Sequence, residues 1–356
     1  MWPSSRSPVG GVTAPAETTV RFEPVSRQNS DEPQVALDVR RSFVTFGAAP
    51  HTLDARRAQL AALIRGTLRR FPALHYYQGY HDLVAVLLLT VCPAVDDWEA
   101  HHATAQALVD QVSLFCVRDC MCADMMPALG HLRIVRHIVR AADPAYAAAL
   151  DAALRPNTLL VALPWVLTLF THSVDSLERA QAILDFVFAR GPASTLYVAA
   201  AFILWHRAHG EVCDDGAELH AALAHAPVRA GHDDLDAVLA HAAALCERYP
   251  LKSPAVYAHT VMAPASALFT WDGEHSYAEI ERILTLPPSS IVLDALPTPE
   301  EKPVRRVHRR RRIPRWLVFG RMRAPLMLLL LSAGVATLLV ALYLGPRARH
   351  STYRIK

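Results

Sequence analysis

Apolar residues recur three and four positions apart along most of this chain, in segments separated by prolines and short polar stretches. This spacing is the repeat of an amphipathic helix, and no segment alternates apolar and polar residues as a half-buried strand does. The pattern therefore predicts an all-α fold of many helices with almost no strand. The predicted helices span residues 53–71, 76 or 78 to 92, 98–118, 128–142, 144–154, 157–172, 176–190, 193–209, 217–226, 233–249, 254–269 and 276–284.

Prolines and small polar residues set the predicted ends of these helices. Thr52 is a typical N-cap for the first of them. Pro72 and Pro93 end the first two helices, because proline lacks the amide hydrogen that a helix interior needs. Pro164 falls inside the predicted helix 157–172, where we expect it to produce a kink.

Residues 325–344 show a different pattern, a continuous run of 20 residues without a charge. At a rise of about 1.5 Å per residue, a helix of this length spans about 30 Å, the hydrocarbon thickness of a bilayer. A buried helix of a soluble core would also be apolar, but the basic and polar flanks favour a single transmembrane helix in the lipid bilayer. Only residues 345–356 follow it, so we expect a tail-anchored protein with a short luminal tail.

Basic residues are concentrated around this segment. Residues 301–356 hold 14 Lys and Arg and a single acid, which leaves 22 basic and 32 acidic residues in 1–300. Nine arginines precede the span, between Arg305 and Arg323, and four basic residues follow it. This excess predicts that the body lies in the cytosol and that the arginine-rich stretch meets anionic headgroups. The run R-R-R-R within it also resembles a nuclear import signal, which its place beside a membrane span disfavours.

The rest of the chain divides by composition into three parts. Residues 1–30 are rich in Pro, Ser and Thr and are predicted to be a disordered or partial N-terminal segment. Residues 31–285 form the helical body, and residues 286–324 form a Pro-rich and basic linker. The acidic body argues against nucleic-acid binding, which needs a basic face. The six cysteines contain no C-x-x-C pair and indicate a reducing compartment.

Several motifs of metal, nucleotide and acyl-transfer chemistry are missing from the sequence. The 18 histidines include no H-E-x-x-H, and the chain contains no G-x-x-x-x-G-K-[ST] loop and no G-x-S-x-G nucleophile elbow. We therefore predict no metal site and no cofactor of the chain's own.

Two short motifs carry the chemistry. The string V-A-L-D-V-R-R places Arg41 three residues after Asp38, and Y-Y-Q-G places Gln78 two residues after Tyr76. An arginine and a glutamine together complete GTP hydrolysis by another protein. The guanidinium neutralises charge on the transferring phosphoryl group, and the carboxamide orients the attacking water. Arginine suits this role because it is planar, always charged and rich in donors.

These motifs resemble the I-x-x-D-x-x-R and Y-x-Q motifs of the TBC-domain Rab GTPase-activating proteins. The resemblance implies an all-helical TBC domain over residues 31–285, in which Arg41 is an arginine finger and Gln78 replaces the GTPase's own water-orienting glutamine. It also implies that Asp38 orients the arginine and that Tyr76 positions the glutamine. The GTP and magnesium would then be carried by a GTP-bound Rab partner.

Residues near the two motifs leave alternatives open. Arg40 competes with Arg41 for the finger role, although the spacing from the aspartate favours the second arginine. Gln78 would alternatively cap the helix that follows it. Asp82, one turn further on, is a supporting residue that tethers the turn, contacts the partner or forms a core hydrogen bond. The two histidines that flank the motif are interpreted as structural.

Longer strings narrow the resemblance. Trp165 and Phe170 in one helix, with Asp185 in the next, resemble the family's later block. D-V-R-R-S-F and Y-Y-Q-G-Y-H-D, with the C-terminal anchor, resemble a membrane-anchored subgroup tied to the endoplasmic reticulum and to Rab proteins of the early secretory pathway. We therefore expect a protein of the endoplasmic reticulum membrane that activates such a Rab in trans. The Golgi and the mitochondrial outer membrane are alternative locations.

One departure from the family motivates a second hypothesis. Family members usually begin with a helix carrying an arginine and a tryptophan, and only M-W-P at the start of this chain resembles its remnant. The second hypothesis is a catalytically weak or inactive TBC-like module that docks a Rab as a tether or scaffold. A helical membrane protein unrelated to GTPases is the third.

Overall fold

The computed structural model describes residues 28–44, 46, 49–154, 159–210, 213, 215–271, 277–286 and 291. All of them belong to the first of two compact units, residues 1–296. The predicted membrane span, the tail after it and the arginine-rich stretch before it lie outside the described residues. In the part that is described, no helix is both long and apolar enough to cross a membrane.

Thirteen α-helices form the described part of the unit. They are α1 Glu32–Val39, α2 Leu53–Arg70, α3 Tyr80–Val91, α4 Asp97–Val112, α5 Met126–Ala142, α6 Pro144–Ala153, α7 Leu163–Leu167, α8 Leu177–Arg190, α9 Ser194–His209, α10 Gly216–Ala224, α11 Ala226–Arg229, α12 His232–Arg248 and α13 Tyr277–Leu284. A π-helical turn continues α4 over Ser113–Val117, and short 3₁₀ turns span Arg118–Met121, Leu160–Ala162, Ala258–Thr260 and Ala267–Phe269.

The predicted all-helical fold is confirmed, since the described residues contain no strand beyond an isolated bridge residue, Met262. Most predicted helices have bounds close to those observed. The helix α1 was not predicted, although it carries the arginine motif. Thr52 precedes α2 as predicted, but its hydroxyl donates to the Ala49 carbonyl at 2.9 Å instead of capping the helix.

The predicted helix 157–172 is wrong in the described residues. Only the five residues of α7 are α-helical there, because Leu169 and Phe170 adopt left-handed backbone angles, with φ of 47° and 69°. A left-handed residue cannot continue a right-handed helix. Pro164 lies in the first turn of α7, where its missing amide hydrogen costs nothing. It therefore begins a helix instead of producing a kink.

The predicted helix 254–269 is also wrong, because buried polar side chains bind its backbone. Arg118 donates to the carbonyl of Ala265 at 2.8 Å. Asp119, which is fully buried, accepts from the amide of Ala267 at 2.9 Å and from the hydroxyl of Ser266 at 2.5 Å. These bonds satisfy backbone and side-chain groups outside a regular helix, and only two 3₁₀ turns remain.

The core is built around α9, whose residues 196–203 are buried on every side. This helix contacts α5, α7, α8, α11 and α12. Trp165, Phe170 and Phe202 form an aromatic cluster, with ring centroids 5.3 to 6.3 Å apart. Burying an aromatic side chain of this kind contributes about 1.5–3 kcal/mol to stability.

The first three helices pack against one another, and the two motifs lie at the end of α1 and in the loop before α3. Glu32 at the start of α1 accepts two hydrogen bonds of 2.7 Å from the guanidinium of Arg69 at the end of α2. The Asn29 side chain donates to the Leu68 carbonyl at 3.3 Å. These contacts fix α1 against the end of α2, and the loop from α2 to α3 carries the glutamine.

Candidate functional site

Asp38 is the buried centre of the candidate site. Its carboxylate is fully shielded from solvent and accepts hydrogen bonds from Gln34 Nε2 at 3.2 Å, from the Tyr76 hydroxyl at 3.0 Å and from the Arg41 guanidinium. Burial by itself would raise the pKa of Asp38, but the hydrogen bonds from Gln34, Arg41 and Tyr76 outweigh it and the net pKa is lowered. Asp38 is therefore a stable anion between the two motifs.

Arg41 follows the last turn of α1, where its amide donates to the Asp38 carbonyl at 3.0 Å. Its guanidinium forms an ion pair with the carboxylate of the same aspartate, while 62% of the side chain stays exposed. Arg40 is also exposed, and in the described part of the chain no hydrogen bond or ion pair joins its side chain to Asp38. The geometry thus distinguishes the two neighbouring arginines, because of these two only Arg41 has its side chain oriented by the carboxylate of Asp38.

Tyr76 joins the glutamine motif to the arginine motif. Its amide donates to the carboxylate of Asp31, just ahead of α1, at 2.9 Å. Burial and the nearby charge of Asp38 raise the pKa of the Tyr76 hydroxyl far above its ordinary value, so the hydroxyl keeps its proton. The hydroxyl donates that single proton to Asp38. In the 2.8 Å contact with His81, the hydroxyl oxygen of Tyr76 therefore accepts a hydrogen bond from a protonated Nδ1.

Gln78 lies on an exposed turn between two anchored residues. The hydroxyl of Tyr77, which is buried, donates to the Leu167 carbonyl at 2.6 Å. Gly79 has a φ of 103°, and a Cβ added there would lie 2.8 Å from Cγ2 of Thr168. The following helix begins at Tyr80, later than predicted, with Gly79 as its N-cap and no side-chain cap. The alternative interpretation of Gln78 as a helix cap is therefore wrong.

Asp82, in the first turn of α3, lies between two histidines. Its Oδ2 is 2.8 Å from Nδ1 of His172, and its Oδ1 is 3.4 Å from Nε2 of His81. The hydrogen bond to Asp82 raises the pKa of His172, whereas burial lowers the pKa of His81. The sequence interpretation missed His172, because it lies 90 residues from its partner and no local spacing relates them.

The arrangement suits chemistry on another molecule. The side chains of Arg41 and Gln78 are both exposed. The buried carboxylate of Asp38 binds Arg41, and Gln78 lies between two buried residues, Tyr77 and Gly79. In the described residues, no group of three or more His, Cys, Asp and Glu side chains is placed to hold a metal ion. The roles of Arg41, Gln78, Asp38, Tyr76 and Asp82 in a reaction stay predictions.

Comparison with curated proteins finds relatives that share part of this chain. It is 29% identical over 193 residues to GTPase-activating protein gyp10 of Schizosaccharomyces pombe, which covers 52% of this chain and 48% of that protein. It is 31% identical over 212 residues to TBC1 domain family member 20 of Homo sapiens, covering 57% and 50%. The chain thus spans about half the length of these relatives.

A solved structure and a family model were also matched. The crystal structure of the Chlamydomonas flagellar RabGAP TBC domain covers 60% of this chain and 67% of its own, at 16% identity and a TM-score of 0.47. The model of the Rab-GTPase-TBC domain matches residues 18–209, more than half of the chain, and includes both motifs. The chain therefore belongs to the Rab-GTPase-TBC domain family.

Proposed function

We propose that this protein is a GTPase-activating protein, which stimulates GTP hydrolysis by a Rab small GTPase with Arg41 and Gln78. The observation that carries the proposal is the meeting of the two motifs on one buried carboxylate, where Asp38 binds both Arg41 and Tyr76. Membership of the Rab-GTPase-TBC domain family supports it. Two relatives are named GTPase-activating proteins, from Schizosaccharomyces pombe and Saccharomyces cerevisiae.

In this proposal Arg41 supplies the charge that a slow GTPase lacks. The transition state of phosphoryl transfer spreads negative charge over the phosphoryl oxygens, and an inserted guanidinium stabilises it. Such an arginine is worth about 10³–10⁵ in rate, or roughly 4–7 kcal/mol. Because Asp38 engages one terminal nitrogen of Arg41, the rest of the exposed guanidinium is available to the phosphoryl group.

Gln78 orients the attacking water in the same proposal. A carboxamide can accept a hydrogen bond from the water and donate one to a phosphoryl oxygen. The fixed backbone on both sides of Gln78 limits where its side chain can reach, which favours a defined attack geometry. The GTP and its magnesium arrive with the Rab, so this chain adds positioning and charge and forms no covalent intermediate.

The location of this activity is also a proposal. The charge-free segment 325–344 and the arginines before it support a single-pass anchor with a cytosolic body. The resemblance of the extended motifs to a membrane-anchored subgroup supports the endoplasmic reticulum and a Rab of the early secretory pathway. Imaging of the full chain and of a chain ending at residue 324 tests this. A reticular signal that becomes diffuse without the segment is expected, and a Golgi or mitochondrial signal would contradict it.

Single-turnover GTP hydrolysis tests the activity, with the full chain in detergent micelles added to a panel of GTP-loaded Rab proteins. We expect acceleration of one Rab by about 10³-fold or more. Arg41→Ala and Gln78→Ala should each remove most of it, and the neighbouring Arg40→Ala is the matched control that should retain it. A Rab that binds without being accelerated would indicate the tether or scaffold instead.

A further inference from the structure

The loop that follows α7 contains two successive residues with left-handed backbone, neither of them glycine. Leu169 has a φ of 47° and Phe170 a φ of 69°. Each such residue costs on the order of 1–3 kcal/mol and persists only where its surroundings determine it. We call residues 167–172, which begin with the last residue of α7, the supporting loop.

The supporting loop is fixed to the core and to itself. The amide of Phe170 donates to the Trp165 carbonyl at 2.9 Å, and the amide and hydroxyl of Thr171 donate to the Thr168 carbonyl at 3.0 and 2.8 Å. The Phe170 ring is fully buried against the rings of Trp165 and Phe202. These hydrogen bonds and the buried ring hold the conformation of the supporting loop.

Two contacts of this loop lie on either side of Gln78. On one side, the Tyr77 hydroxyl donates to the Leu167 carbonyl at 2.6 Å. On the other, Gly79 lies so close to the Thr168 methyl group that no side chain fits between them. The residues immediately before and after the glutamine thus both contact the supporting loop, Tyr77 through its side-chain hydroxyl and Gly79 through its backbone.

A third contact holds the first turn of the next helix. Nδ1 of His172 lies 2.8 Å from Oδ2 of Asp82, while Oδ1 of Asp82 is 3.4 Å from His81 Nε2. The imidazole of His172 is 63% exposed, so it adds little to the core by burial. Among the described contacts, the one with Asp82 connects this exposed side chain to the glutamine turn.

We propose that the supporting loop is the positioning element for Gln78, and that His172 is a positioning residue which acts through Asp82. The inference rests on the proposed function, because positioning matters only if Gln78 orients a reacting water. His172 would act only by positioning. The His172–Asp82 bond fixes the start of α3, and the contacts of residues 77 and 79 fix the turn that carries the carboxamide. A misplacement of about 1 Å at such a group costs on the order of 100-fold in rate.

Three substitutions of His172 test this with the full chain and the Rab that responds in the panel. His172→Ala should lower the maximal rate by about 10-fold or more, with the KM for the Rab unchanged, because positioning affects the transition state and not docking. His172→Asn places an amide donor near the position of Nδ1 and should restore most of the rate. His172→Gln places its amide near the position of Nε2 and should not. His102→Ala, at an exposed histidine of α4, is the control and should leave the rate unchanged.

Amide hydrogen exchange provides a readout that needs no Rab. The amides of Tyr80 and Asp82 donate within the turn, to the carbonyls of Tyr77 at 3.2 Å and Gly79 at 3.0 Å. We expect both amides to exchange faster in His172→Ala than in the wild type, at equal resistance to thermal unfolding, and to regain protection in His172→Asn.

The outcomes separate this inference from the proposed function. A wild-type chain that accelerates no Rab contradicts the proposed function, and the exchange data then decide the positioning role by themselves. If the wild type is active but His172→Ala matches it in maximal rate or in amide exchange, the positioning role is wrong. A raised KM at an unchanged maximal rate would also overturn it, because His172 would then contact the partner.

Discussion

Arg41 is held through its side chain, whereas Gln78 is held through its backbone. The guanidinium of Arg41 binds the buried carboxylate of Asp38, and the chain after it passes to Val44, whose side chain is 83% exposed. The carboxamide of Gln78 has no hydrogen-bond partner in the described part of the chain, but the residues on both sides of it are buried against the supporting loop.

Under the proposed function, the difference corresponds to two ways of preparing a group for a partner's active site. A charged side chain can be oriented by a single opposite charge, since the ion pair sets its direction. A neutral carboxamide carries no charge that an ion pair could orient, so only the position of its backbone restricts where the side chain can lie. The arginine side should therefore be sensitive to changes of one carboxylate, and the glutamine side to changes of backbone conformation.

Among the residues that hold Arg41 and Gln78 in place, the largest effect is expected from Gly79→Ala on the glutamine side. A Cβ at a φ of 103° is strained and would lie 2.8 Å from the Thr168 methyl group, so the turn must shift. We expect an activity loss of about 100-fold and a lower free energy of unfolding by about 1–3 kcal/mol, from GTP hydrolysis and urea unfolding.

Gly231→Ala is the matched control, because an added Cβ there would meet nothing closer than 3.8 Å. As a change at a helix N-cap it should cost no more than about 1 kcal/mol and leave activity intact. Equal activity of the two variants would show that the glutamine turn does not depend on its left-handed glycine.

A smaller effect is expected from Asp38→Asn on the arginine side. It removes the charge that holds Arg41 but leaves an amide of similar shape, so we expect about a 10-fold loss of the maximal rate and about 1–3 kcal/mol of stability at pH 7. Asp54→Asn, at a fully exposed aspartate, is the control and should change neither. An unchanged rate in Asp38→Asn would show that Arg41 orients itself without the ion pair.

The difference in stability between the wild type and Asp38→Asn should depend on pH in a definite direction. The pKa of Asp38 is lowered from its ordinary 3.8, so its contribution to stability is complete above that value. It is lost only as the pH falls through the lowered pKa of the folded state. Urea unfolding at pH 7 and pH 5 should therefore give the same difference between wild type and Asp38→Asn. A difference that already shrinks between these values would contradict the lowered pKa.

The smallest effect is expected at the surface beside the arginine. Leu37 on α1 is 53% exposed and lies one residue before Asp38. If a Rab covers this surface when Arg41 enters its site, Leu37→Ser should raise the KM by about 5-fold at an unchanged maximal rate. Val228→Ser, at a valine of α11 that is 42% exposed, is the matched control. A KM equal to that of the wild type would show that this face lies outside the interface.

The helices show where local pattern is enough to predict structure. The periodic segments that became α2, α5, α8, α9 and α12 pack an apolar face against the core, so their spacing in the sequence carried the structural information. The segments 157–172 and 254–269 are also rich in apolar residues, but their described residues include left-handed positions and turns. Aromatic packing around Phe170 and the buried side chains of Arg118 and Asp119 decide those conformations, and both depend on residues distant in the chain.

The site divides in the same way. The spacing of Asp38 and Arg41 determined their ion pair, because residues three apart at a helix end lie side by side. The contact between Asp38 and Tyr76, and above all the one between Asp82 and His172, required the tertiary structure. No spacing rule relates residues 38 or 90 positions apart, and only the packing of α1 and the supporting loop against α3 brings them within hydrogen-bonding distance. The sequence alone indicated which groups are proposed to carry the chemistry, and the fold decided how they are held.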